Sequence, residues 1–156
     1  MSYLLDTNIV SFAMRNNLII KEKLDQLRSR KELVSISCIT YFEIKRGLFA
    51  AKATKKLEIF DNFCKDYQIL FLDDLAIVEK AAEIHANLRL RGLPIQTEDI
   101  LIAATAIIKG FTVVSNDSDL LRVEGLTVEN WLYHVRLIAY DKRGECKDDQ
   151  CRNELV

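Results

Sequence analysis

Four acidic residues fall where layered α/β proteins place their chemistry. Asp6 ends the apolar run Tyr3-Leu4-Leu5, and Asp117 follows Phe111-Thr112-Val113-Val114 across Ser115-Asn116. Glu43 lies in the first turns of a helical stretch after Leu33-Val34-Ser35-Ile36, and Asp99 heads the apolar segment from Ile100 to Ile108. In open α/β sheets the working crevice lies beyond the carboxyl ends of the strands. Carboxylates supply the oxygen ligands that hard cations such as Mg²⁺ require. Four acids in one crevice repel one another unless a cation neutralises them or some take up protons. The set therefore implies a metal ion.

Each acid also has a purely structural role open to it. Asp6 suits the N-cap of a helix beginning near Thr7. Thr40-Tyr41-Phe42-Glu43 has the T-x-x-E form of a capping box. Glu98 and Asp99 answer a helix dipole from its first turn. Asp117 and Asp119, among Ser115, Asn116 and Ser118, are loop formers. Two observations weigh against capping alone. All four acids fall at one sheet edge, and Asp99 leads a helix with no polar face, where an unpaired buried charge costs several kcal/mol.

Other chemistries lack their parts. The chain has no G-x-x-x-x-G-K-[ST] loop, no G-x-G-x-x-G after a strand and no G-x-S-x-G elbow. Only His85 and His134 are available, and His85, between Ile84 and Ala86, is expected to be packed or exposed rather than functional. Of four cysteines, Cys38 and Cys64 read as small buried hydrophobes. Cys146 and Cys151 with His134 make a poor zinc signal for want of a second spaced pair.

The positioning elements follow from periodicity. Strands are expected at Tyr3–Leu5, Leu33–Ile36, Ile69–Leu72 and Phe111–Val114, with a fifth short one at Leu126–Val128. Helical spacing fills Leu18–Arg30, Ile39–Ala53, Thr54–Tyr67, Leu75–Arg91 and Thr97–Lys109, the last apolar nearly all round and so buried. Alternation of this kind predicts a three-layer α/β domain: a mostly parallel central sheet of four to five strands flanked by helices. With 156 residues, 49% hydrophobic and 29% charged, one domain is expected. It spans 1–133, and 134–156 form a C-terminal extension, flexible or partner-dependent, whose composition buries little. A net charge of −1 argues against a generic nucleic-acid coat. No apolar run reaches the ~18–20 residues of a membrane span. No leader is visible at the N-terminus, so a cytoplasmic location is expected.

Several blocks together resemble PIN-domain nucleases, in particular the VapC-type toxins of bacterial toxin–antitoxin pairs. They are Leu4-Leu5-Asp6-Thr7-Asn8, Ile39-Thr40-Tyr41-Phe42-Glu43-Ile44, Asp99-Ile100-Leu101-Ile102-Ala103-Ala104 and Val114-Ser115-Asn116-Asp117. Arg122-Val123-Glu124-Gly125-Leu126 and Glu129-Asn130-Trp131 match the closing segment. Where many relatives carry Gly-Pro before the third acid, this chain has Gln96-Thr97-Glu98, and register with Ile102-Ala103-Ala104 selects Asp99 over Glu98.

The resemblance implies an endoribonuclease that uses Mg²⁺ or Mn²⁺, with Asp6, Glu43, Asp99 and Asp117 as metal-binding acids. Asn8 and Ser115 would orient ligands or contact phosphate, with Asp119 and Glu98 as supporting acids. It further implies a homodimer and a cognate antitoxin that blocks the site. Lys45, Arg46, Lys52, Lys55, Lys56, Arg89 and Arg91 offer cations for RNA phosphates. Tyr41 and Phe42 are expected in core or dimer contacts. Two rival readings are a metal-dependent phosphatase with Asp6 as nucleophile, which lacks the usual acid two residues on because Asn8 stands there, and a non-catalytic RNA- or protein-binding module whose acids are only caps.

Overall fold

The computed structural model describes residues 1–132. The expected extension 134–156, with His134, Cys146 and Cys151, lies outside the described residues.

Short polar side chains fix where several helices begin. Asp6 caps α1 (Thr7–Met14), Asn17 caps α2 (Leu18–Ser29), Ser37 caps α3 (Cys38–Ala50) and Asp74 caps α5 (Leu75–Leu90). Each side-chain oxygen accepts a hydrogen bond from a backbone N–H that the helix itself leaves unpaired. Helices α4 (Thr54–Cys64) and α6 (Thr97–Lys109) start without such a cap. Gly110 ends α6 in the left-handed region, φ +72°, which a glycine enters without steric cost.

The strands β1 (Ser2–Leu5), β2 (Leu33–Ser37), β3 (Gln68–Leu70), β4 (Thr112–Val114) and β5 (Val128–Glu129) form one parallel sheet in the order β3-β2-β1-β4-β5. From β1 the chain moves outward to β2 and β3. The long α5–α6 connection then brings it back to the other side of β1. Strand order thus reverses between β1 and β4, and an α/β sheet opens its crevice there.

Alternation along β1 splits the core. Leu4 and Val113 face α5 and α6, packing with Ile77, Leu88, Ile102, Ala103 and Ala104. Tyr3, Leu5 and Val114 face the opposite layer, with Ile9, Ile20, Leu27, Ile36 and Phe60. Leu4 and Leu5 are both fully buried, and each contributes roughly 1.5–3 kcal/mol. Losing the register by one residue would swap these two faces.

The three-layer parallel fold is as expected, with shifts of a few residues at element ends. The third strand ends at Leu70, where pairing with Ser37 of β2 stops, and the fifth begins at Val128, where pairing with Val113 starts. Helix α6 is not buried all round: Ile108 reaches solvent on its outer turn. Cys38 and Cys64 are free thiols at the first residue of α3 and the last of α4, half-buried rather than buried because a helix end is packed on fewer sides than its middle. His85 is exposed on α5.

Candidate active site

At the mouth between β1 and β4, a pocket of about 440 Å³ is lined by Asp6, Glu43, Asp99 and Asp117, together with Asn8 and Asn116 among others. The four acids come from four elements or their ends, spread over most of the domain. Asp6 stands just after β1, Glu43 on the second turn of α3, Asp99 in the first turn of α6, and Asp117 beyond β4.

Asp6 is 3% exposed and both its oxygens are engaged. Oδ1 accepts from the Thr7 backbone N–H at 2.7 Å; Oδ2 accepts from Asn8 Nδ2 and Ser115 Oγ, each at 2.7 Å. Burial raises its carboxyl pKa; the Ser115 and Thr7 hydrogen bonds act the other way, and the charges of Glu43 and Asp117 reinforce the rise. Ser115 is buried too, and its Oγ accepts from the Asp117 backbone N–H at 2.9 Å. Asn8 Oδ1 accepts from the Asn116 N–H at 3.4 Å. Asp6, Asn8 and Ser115 therefore tie the end of β1 to the loop after β4.

Glu43 is fixed from two sides. Thr7 Oγ1 donates to Glu43 Oε2, and Arg46 approaches Oε1 at 3.7 Å. The capping box expected from Thr40 and Glu43 is not formed, because Ser37 is the N-cap and Thr40 lies inside the helix. Thr40 is buried instead, its hydroxyl 3.5 Å from both the Leu5 carbonyl and the Thr7 hydroxyl.

Asp99 differs from the other three. Among the described residues, no hydrogen-bond donor and no cation pairs with it. Half-buried, its carboxyl is pushed up to about 7, first by desolvation and then by the charges of Asp6, Asp117, Glu43 and Asp119. Like charges gathered around one pocket disfavour one another's ionised forms. They stop short of a closed shell: among the described residues, no three Asp, Glu, His or Cys side chains stand close enough to share one ion. The chemistry of the donors, all oxygen with an excess of negative charge and one unpaired carboxylate, fits Mg²⁺ or Mn²⁺.

The neighbouring acids are occupied otherwise. Glu98 pairs with Arg46 at 3.4 Å and Asp119 with Arg122 at 2.8 Å. Asp119 N–H also donates to Asp117 Oδ1 at 2.8 Å, so Asp117 caps the 3₁₀ turn Ser118–Arg122 while lining the pocket. Capping and pocket-lining coexist at Asp6 and Asp117.

Several cations expected to meet RNA are committed elsewhere. Lys45 pairs with Asp61 and lies over the rings of Tyr41, Phe49 and Phe60. Arg91 is bonded to Asn87, the Arg122 carbonyl and Glu124. Tyr41 packs on Phe60 with ring centroids 5.4 Å apart, whereas Phe42 is 54% exposed under the Arg46 guanidinium. Thr7 and Arg15 also line the pocket, and the sequence does not single them out. Thr7 sits between two site residues, Asp6 and Asn8, and that adjacency was its only signal; Arg15 is a helix-terminal arginine with none.

A parallel sheet with an acidic pocket at its switch point defines a class of α/β domains. A model of the PIN domain matches residues 3–126, and the chain belongs to that family. It is 30% identical over 135 residues to the plasmid stability protein StbB of Pseudomonas syringae pv. tomato, covering 81% of this chain and 96% of that protein. The tRNA(fMet)-specific endonuclease VapC of Salmonella typhimurium is 29% identical over 134 residues, covering 84% and 98%. Among solved structures, VapBC2 from Rickettsia felis, bound to a DNA fragment from its promoter, superposes with a TM-score of 0.78 at 28% identity, covering 84% of this chain and 99% of that one.

Proposed function

We propose that this protein is a divalent-metal-dependent endoribonuclease acting in the cytoplasm as the toxin of a toxin–antitoxin pair. The observation that carries this reading is the acidic pocket, in which Asp99, among the described residues, has no partner beside three other carboxylates. The similarity to VapC ribonucleases and to a VapBC structure supports it.

Asp6, Glu43, Asp99 and Asp117 would hold the metal. A bound Mg²⁺ or Mn²⁺ supplies an activated water and polarises the scissile phosphate. The chain's own residues set the geometry. Ser115 and Asn8 hold the Asp6 carboxylate in one orientation. Thr7 and Arg46 do the same for Glu43, and Ser115 anchors the backbone of Asp117. Glu98 and Asp119 are neutralised by Arg46 and Arg122, which keeps surplus charge off the RNA phosphates.

A homodimer suits the apolar side chains left on the surface of α3 and α5. Phe42 and Phe49 are 54% and 63% exposed, Leu75 and Val78 71% and 47%. An antitoxin would block the pocket with an arginine, whose planar fork matches carboxylates.

The test is cleavage of RNA by the purified protein in Mn²⁺, in excess chelator, and as Asp6→Asn. Cleavage is expected in the first condition only, with a loss of at least about a hundredfold in the other two. Equal cleavage in all three would remove the metal reading.

A further inference from the structure

Beside the acidic pocket lies a second cleft, of about 470 Å³, between α1, α3 and α4. The two share a wall: Thr7, Ser11, Arg15 and Glu43 line both. Moving away from the acids, the second cleft becomes apolar at Leu48 and Ile59 and is basic at its rim, where Lys56 joins Arg15. Arg15 and Lys56 are exposed, and neither pairs with a carboxylate among the described residues. The Arg15 guanidinium lies over the ring of Phe12, 5.7 Å from its centroid, at the junction of the two cavities.

Gly47 supplies an independent observation. It lines this cleft from the interior of α3, where a glycine costs about 1 kcal/mol relative to alanine. A Cβ built there meets nothing within 4 Å, so packing within the domain does not require the glycine. What its missing side chain leaves is room in the cleft.

Resting on the nuclease reading above, we propose that this cleft seats one nucleotide flanking the scissile phosphate of single-stranded RNA. Arg15 and Lys56 take its phosphates, the Leu48 and Ile59 side receives its base, and Gly47 keeps the floor open. Size and charge agree. The volume is in the range of sites that bury one small ligand, and the two cations line a cleft that adjoins the acidic pit. Continuity through Arg15 and Glu43 places the bound phosphate next to the catalytic acids.

Binding is measured by fluorescence anisotropy of a labelled unstructured RNA oligonucleotide, with Mg²⁺, in an Asp99→Asn background that prevents cleavage. Arg15→Gln with Lys56→Gln is expected to weaken binding by about tenfold. The slope of log K against log salt should flatten by about 1.4, since each phosphate contact on a single strand contributes about 0.7. Gly47→Leu should weaken binding at least about tenfold through occlusion, with an unchanged salt slope and an unchanged or higher melting temperature. Lys21→Gln, on α2 outside the cleft, serves as the control for general charge loss. The unsubstituted protein is assayed for cleavage in parallel. If it cleaves RNA while the cleft variants bind like their parent, the cleft assignment is overturned and the cavity is left to a protein segment. If it neither binds nor cleaves RNA, the nuclease reading falls and this inference with it.

Discussion

Replacing Asp99 by asparagine should stabilise the metal-free protein, an unusual result for a residue in the middle of a site. The folded-state carboxyl is raised from 3.8 to about 7, mainly by burial and then by four neighbouring acids. Because the folded value exceeds the unfolded one, the native chain holds an extra proton between about pH 4 and 7. Stability therefore falls as pH rises through that window and stays low above it. Three pH units at about 1.4 kcal/mol each would amount to about 4 kcal/mol. Water reaches one side of the group and screens it, which reduces the effect to about 1–2 kcal/mol. At pH 8 in chelator, Asp99→Asn should melt higher than the parent by about 2–8 °C. At pH 5 the gap should shrink to about a third, and at pH 4 the two should nearly coincide. Adding Mn²⁺ should raise the parent and leave the variant almost unmoved, reversing their order. A variant that melts lower at pH 8 in chelator, or a difference insensitive to pH, would refute the idea of acids straining against one another.

Three further substitutions probe the supports. Ser115→Ala removes a donor to Asp6 and an acceptor for the Asp117 N–H; cleavage should drop about 10–100-fold with RNA affinity unchanged, read as kcat against KM. Arg46→Met frees Glu43 and Glu98 from their cation, so Mn²⁺ affinity by calorimetry should rise a few-fold at low ionic strength, and the gain should fade in high salt. Gly110→Ala places a Cβ at φ +72°, which should cost about 1 kcal/mol by denaturant titration and leave the cleavage rate at 20 °C unchanged.

The sheet and its helices were legible because their signals are local. Leu4-Leu5 before Asp6, and Val113-Val114 before Ser115, are apolar runs closed by polar residues, and their burial is complete. Asp6 and Asp117 could be placed at one edge from topology alone. What the chain did not disclose is which polar group meets which. T-x-x-E at Thr40 reads as a capping box, yet Ser37 takes the cap because β2 extends to that residue and the helix begins directly after it. Lys45 and Arg46 are adjacent and equally basic, but one is caged by aromatic rings while the other spans α3 and α6. Such pairings depend on side-chain direction across elements far apart in sequence. The cleft beside the pocket was invisible for the same reason, since a glycine in a helix carries no mark of what it leaves open.

The order of strands has a temporal consequence for the cell that makes this chain. Asp6 is synthesised more than a hundred residues before its Ser115 partner and the fourth acid, Asp117. Contacts of such long range form only after the intervening loop has been closed. A growing polypeptide on the ribosome thus has no complete acidic pocket until the residues beyond β4 have emerged. Any fragment cut short before β4 lacks both the strand that completes the crevice and the acid beyond it.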